Sequence, residues 1–156
     1  MIITFIVSVL VGAIQAGTSI LYAAEGEVLA ERSGVINLGL EGTMLMGASV
    51  GFMTMAQTGN GLLAVLAAAL AGGLFNMILA WLVVTRGANQ LASGLALGFF
   101  GIGLSALLGK VYVGQRVTGL QSLPIPVLSE IPYLGRIFFD HDILTYLVIP
   151  LAIFLW

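Results

Sequence analysis

Cysteine is absent from the 156 residues, which excludes disulfide frameworks, thiolate metal sites and cysteine nucleophiles. Charge is scarce: five basic and seven acidic side chains make up 8% of the chain, against about a quarter in an ordinary soluble domain. Water alone does not keep such a chain soluble. The net charge is -2 and Lys and Arg form no block, so the electrostatic footprint of a nucleic-acid or anionic-surface binder is missing. There is one histidine, His141; it offers no metal-ligand spacing and, among charged neighbours, reads as a solvated interface residue. No GxxxxGK[ST] phosphate loop occurs, so the chain itself is not expected to bind ATP.

What remains is hydrophobic, 60% of the chain, with the charges gathered at Glu25 to Glu41, at Arg86 and between Lys110 and Asp142. A membrane-crossing helix needs about 20 apolar residues at a rise of about 1.5 Å each. Ile2 to Ala24, Leu62 to Thr85 and Ala88 to Gly109 meet that length, bounded by charges or by turns such as Thr58-Gly59-Asn60-Gly61. Gly42 to Gln57 is slightly short unless the turn before it also lies at membrane depth. The first stretch lacks a basic leader region and is too long for a usual signal peptide, so it reads as a retained helix. A fifth apolar run, Ile143 to Trp156, carries Pro150 and is still apolar where the sequence stops, which reads as a truncated helix. The expected fold is all-α: a polytopic transmembrane bundle of about four complete helices plus a truncated fifth. Residues 1–156 are taken as one transmembrane domain, incomplete at its C-terminal end.

Glycine numbers 21, much of it at helical spacing. Gly47 and Gly51 are four apart, as are Gly94 and Gly98, and Gly101, Ser105 and Gly109 continue the stripe. Small residues let helix backbones approach closely in lipid, where packing replaces the hydrophobic drive. These positions are the expected helix-packing contacts. Between Lys110 and Asp142, Pro124, Pro126 and Pro132 oppose a continuous helix, and the mixture of aromatic and charged residues suits an interfacial segment. Arg32, Arg86, Lys110, Arg116 and Arg136 fall on both sides of any alternating topology, so the positive-inside bias does not set an orientation.

Residues 25–48 read EGEVLAERSGVINLGLEGTMLMGA. Glu27 and Glu31 share a helical face at i,i+4, and Arg32 neutralises part of their charge. No second catalytic group accompanies these carboxylates in a recognisable arrangement, so no catalytic residue is assigned. Ser33-Gly34 and Gly39 interrupt helix formation, which predicts a broken or re-entrant segment near 33–41. Broken helices at membrane depth line cavities. Asn37 and Glu41 there, with Asn89 and Gln90 at the start of the next long helix but one, are candidates for a solute pathway. Each also has a plain structural reading: Glu41 against a helix macrodipole, Asn37 bonding its own turn. Asn76 lies within an apolar helix, where an amide usually finds a partner on an adjacent helix.

The run GEVLAERSGVINLGLEGTMLMGA at Gly26 to Ala48 resembles the signature near the start of bacterial ABC importer permeases of the ribose/branched-chain amino acid superfamily, in the branch serving simple sugars and nucleosides. The likeness continues in NQLASGLALGFFGIGLSALLG at Asn89 to Gly109, YVGQ at Tyr112 to Gln115 and PIPVLSEIPYLGRIFFDHD at Pro124 to Asp142. It implies a multi-pass subunit of the bacterial cytoplasmic membrane that imports a small polar solute, a nucleoside or simple sugar, and hydrolyses nothing itself. The implied partners are a second permease subunit, ATP-binding subunits that use the ATP, and a substrate-binding lipoprotein. Members of the family are about twice as long and carry a coupling segment beyond the point where this sequence stops, so the chain reads as the N-terminal half. The alternative is a non-transporting membrane protein acting as a structural or regulatory partner.

Overall fold

The computed structural model describes every residue from Met1 to Trp156. Six α-helices follow one another without a strand: α1 Ile2–Arg32, α2 Leu40–Thr58, α3 Gly61–Ala80, α4 Gln90–Gly109, α5 Leu134–Phe138 and α6 Ile143–Leu155. A π-helical turn, Trp81–Thr85, extends α3, and a 3₁₀ turn, Lys110–Tyr112, extends α4. Ile2–Arg32, Gly61–Thr85 and Gln90–Tyr112 are long and apolar enough to cross a membrane. With 19 residues α2 spans about 28 Å, close to the roughly 30 Å of hydrocarbon. The chain is a polytopic helical membrane protein with a break between α1 and α2.

The boundaries differ from the sequence reading in an instructive way. Apolarity stops at Ala24, yet α1 runs on to Arg32, because Glu, Leu, Ala and Arg are all good helix formers and Glu27 and Glu31 lie on one face. Hydropathy marks where lipid could end, not where the helix ends. The start of α2 lies at Leu40, two residues before the expected Gly42. The 58–61 turn is built as its composition suggests: Gly59 takes a left-handed conformation (φ 65°) and returns its N–H to Met55 O, while the Asn60 side chain accepts from Leu62 N and Leu63 N to cap α3.

Packing divides the chain into two compact units, Glu27–Gly119 and the pair of segments Met1–Gly26 with Leu120–Trp156. In the first, α2 packs on α3 and α4. Its apolar centre is Met46, Phe75, Leu79, Val83 and Leu97, with Val35 and Leu104 against it. Along α3, Phe75, Leu79 and Val83 turn inward while Leu66, Leu70, Leu74 and Met77 are exposed; that outward stripe suits lipid. At the end of the π turn the Arg86 guanidinium sits 4.8 Å from the centre of the Trp81 ring, a pairing suited to the membrane boundary.

In the second unit the proline-bearing segment returns beside α1. Leu123 N donates to His141 O and Ile125 N to Phe139 O, tying the segment to itself. Two tight turns bring Leu128 N to Pro126 O and Leu134 N to Pro132 O, with Val127 (φ 71°) and Tyr133 (φ 63°) at their centres. Asp142 caps α6 by accepting from Leu144 N and Thr145 N, and Tyr22 Oη donates to Leu144 O. His141 departs from expectation. It is 2% exposed rather than solvated, because one ring nitrogen bonds Ile137 O at 2.7 Å, its amide donates to Tyr146 Oη, and the two rings meet edge to face.

Candidate functional site

The break between α1 and α2 begins with a helix stop. Gly34 adopts φ 81°, its N–H bonds Glu31 O, and Val35 N reaches back to Ala30 O. This is the two-bond C-terminal motif that satisfies the last carbonyls of a helix and needs a left-handed residue, hence glycine. Beyond it, residues 35–39 are neither helix nor strand, and their amides need partners that no helix ladder supplies. In a membrane an unsatisfied amide costs several kcal/mol.

Side chains provide those partners. Gln90, in the first turn of α4, accepts from Ile36 N at 2.9 Å and donates to Gly34 O at 3.1 Å, bridging the segment as a neighbouring strand would. Glu27, from the last part of α1, accepts from Asn37 N at 2.8 Å. Asn37 is buried; its side-chain oxygen accepts from Gly39 N at 2.8 Å and its amide donates to Asn76 Oδ1 on α3 at 3.0 Å. Side chains from three helices, together with Asn37 itself, therefore fasten the broken backbone between Gly34 and Gly39. Gly39 then accepts from Thr43 N and Thr43 Oγ1, and α2 begins.

The glycines decide how close this segment lies to its neighbours. A Cβ on Gly39 would stand 2.5 Å from Gly94 O, and one on Gly42 2.5 Å from Gly98 O. The approach is reciprocal, since a Cβ on Gly94 would meet Leu38 N at 2.9 Å and one on Gly101 would meet Gly42 O at 2.7 Å. Gly98 lies against Gly39 Cα. Gly47 and Gly51 face α3 instead: a Cβ on Gly47 would stand 3.1 Å from Ala68 O, and one on Gly51 3.0 Å from Ala68 Cβ, both tighter than an ordinary contact. Ser105 is buried, donates to Ile102 O within its own helix and accepts from Ser49 Oγ at its carbonyl. Gly109 meets nothing within 4 Å.

The structure thus sorts the four polar candidates. Asn37 and Gln90 come together on the broken segment, and their side chains are occupied in fastening it. Asn89 is an N-cap whose side chain accepts from Ala92 N. Glu41 is exposed on the first turn of α2, where a carboxylate is favoured by the helix dipole, and it makes no hydrogen bond within the chain. Asn76 finds its partner on the break rather than on a helix. Two roles were not foreseen from sequence: Glu27, read there only as sharing a helical face with Glu31, takes an amide ten residues away, and Gly42, whose spacing of three from Gly39 mirrors the small residues of α4, is a packing contact. No cluster of three or more His, Asp or Glu side chains could hold a metal ion.

Span-length apolar helices packed through glycine, with a polar broken segment clasped between them, define an integral membrane protein of the helical, multi-pass class. Residues 8–156 match the family described as the branched-chain amino acid transport system / permease component, and the chain belongs to that family. Similar proteins include one from Haloferax volcanii provisionally named as a glucose ABC transporter permease, 34% identical over 98% of this chain and 48% of its own length. The guanosine ABC transporter permease of Bacillus subtilis is 36% identical over 88% of this chain and 47% of its own, and the nucleoside ABC transporter permease of Lactococcus lactis subsp. cremoris 34% over 89% and 47%. The chain spans about half the length of these relatives. No solved structure matches it.

Proposed function

We propose that residues 1–156 form part of one transmembrane permease domain that imports a nucleoside or a simple sugar, powered by ATP-binding subunits elsewhere in the assembly. The observation that carries this reading is the family match over residues 8–156 together with relatives named for glucose, guanosine and nucleosides. A second permease subunit and a substrate-binding lipoprotein complete the proposed assembly, in the bacterial cytoplasmic membrane. Within it, Glu41 is the pathway residue: its carboxylate is open, whereas Asn37, Asn89 and Gln90 are engaged in holding backbone. Paired hydroxyls of a ribose or hexose are natural donors to such a carboxylate.

Uptake of labelled guanosine, uridine and glucose by cells with the gene intact, deleted, or carrying Glu41→Gln tests the proposal. Deletion is expected to abolish uptake of one class, and Glu41→Gln to lower it about tenfold at unchanged membrane abundance, the loss of a charge-assisted hydrogen bond. Unaltered uptake of all three solutes on deletion would sink the reading.

A further inference from the structure

A separate pocket of about 220 Å³ lies in the unit formed by Met1–Gly26 and Leu120–Trp156, lined by Val7, Ser8, Val11, Gly12 and Gln15 of α1 and by Arg136 and Asp140. Its polar members are unusual for a lipid-spanning helix and its partner segment. Gln15 interrupts the apolar face of α1, and an amide there normally has a partner. Here it has none within the chain. Arg136 and Asp140 are four apart, a spacing that pairs opposite charges on a continuous helix. That helix ends at Phe138, Phe139 leaves helical conformation (φ -122°), and no ion pair joins the two side chains. A guanidinium, a carboxylate and an amide therefore converge on one small cavity with their hydrogen-bonding capacity open. Charges held near a membrane without partners are costly, and they mark binding sites.

We propose that this pocket binds a zwitterionic group, an ammonium and a phosphate on one molecule, and that the molecule is a membrane phospholipid with an ethanolamine head group. Arg136 takes the phosphate through paired N–H donors, Asp140 accepts from the ammonium, and Gln15 serves either with its carbonyl or its NH₂. A purely anionic ligand would face Asp140, and a purely cationic one Arg136. The volume is below the roughly 300–1,000 Å³ of sites for drug-sized molecules, so it suits a head group whose chains lie outside. Beside Val7 and Val11 on α1, Ile3, Ile6 and Leu10 form an exposed apolar stripe along which acyl chains can run.

Native mass spectrometry of the whole chain in detergent tests this, with phosphatidylethanolamine and phosphatidylglycerol of identical acyl chains offered in competition. The expected result is preferential retention of phosphatidylethanolamine. Asp140→Asn should lower that retention about tenfold, one charge-assisted hydrogen bond, and raise that of phosphatidylglycerol, whose anionic head group no longer faces a carboxylate. Arg136→Gln should weaken both lipids, and Gln15→Leu, which keeps the helix former and removes the amide, should weaken the ethanolamine lipid alone. Gly103→Ala, at a position with nothing within 4 Å, is the neutral control. Equal retention of the two lipids, or a preference that survives Asp140→Asn and Gln15→Leu, overturns the proposal. If millimolar O-phosphoethanolamine raises thermal stability as fully as the lipid does, the site takes a free zwitterionic solute and the lipid assignment is overturned.

Discussion

At Asn37 a single buried side chain joins two elements: its oxygen replaces the missing cap at Gly39 N and its amide pairs with Asn76. Replacing it with leucine strands a buried N–H and a buried carbonyl, and unfolding in detergent is expected to show a loss of about 2–4 kcal/mol. Asn37→Asp keeps the bond to Gly39 and should cost less. A double-mutant cycle of Asn37→Leu with Asn76→Leu should give a coupling of about 0.6–1.7 kcal/mol, the range for interhelical hydrogen bonds in membranes; strict additivity would mean that the pair does not interact. The sequence showed that Asn76 needed a partner and that Asn37 could bond its own turn. It did not show that Asn76's partner was Asn37, because polar pairing across 39 residues leaves no periodic trace. His141 illustrates the same limit: charged neighbours suggested solvent, and only the fold reveals that Ile137 and Tyr146 enclose it.

The break between α1 and α2 is an element with its own logic, a glycine stop followed by backbone bonded to side chains. Gly34→Ala places a Cβ on a left-handed residue, at a cost of about 1–2 kcal/mol, with space around it otherwise free. Gln90→Leu removes both bonds to the segment, and hydrogen exchange at Ile36 is expected to accelerate markedly while the amides of Phe75 and Leu79 stay protected. Much of this was legible, since Ser33-Gly34 and Gly39 fixed where the helix fails. The length of α1 was not, because its last turns are charged and only helix propensity carries them. The turn at Val127 is likewise silent in sequence: a β-branched residue at φ 71° is strained, so Val127→Gly should raise stability by about 0.5–1 kcal/mol in thermal unfolding.

For the whole molecule, hydropathy made the membrane class plain, and the motif at 26–48 made the family plain, because both depend on local composition. Which glycines touch which helix was hidden. Gly94, Gly98 and Gly101 could be placed on one stripe, yet their counterpart is the loop and first turn of α2, Gly39 and Gly42, rather than another stripe of four-residue spacing. Gly42→Val should therefore abolish recovery of folded chain by size-exclusion chromatography, as overpacking against backbone leaves nothing that can rotate away, while Gly103→Ala elutes as the parent does. There is a genetic corollary. Every single-base change that alters a glycine codon either adds a side chain or ends translation, and at Gly42 and Gly101 even the smallest side chain would stand under 3 Å from the opposing backbone. Neither position can drift first and be rescued by a smaller residue at the other, since none exists. The contact is an evolutionary dead lock, open only to silent third-base changes.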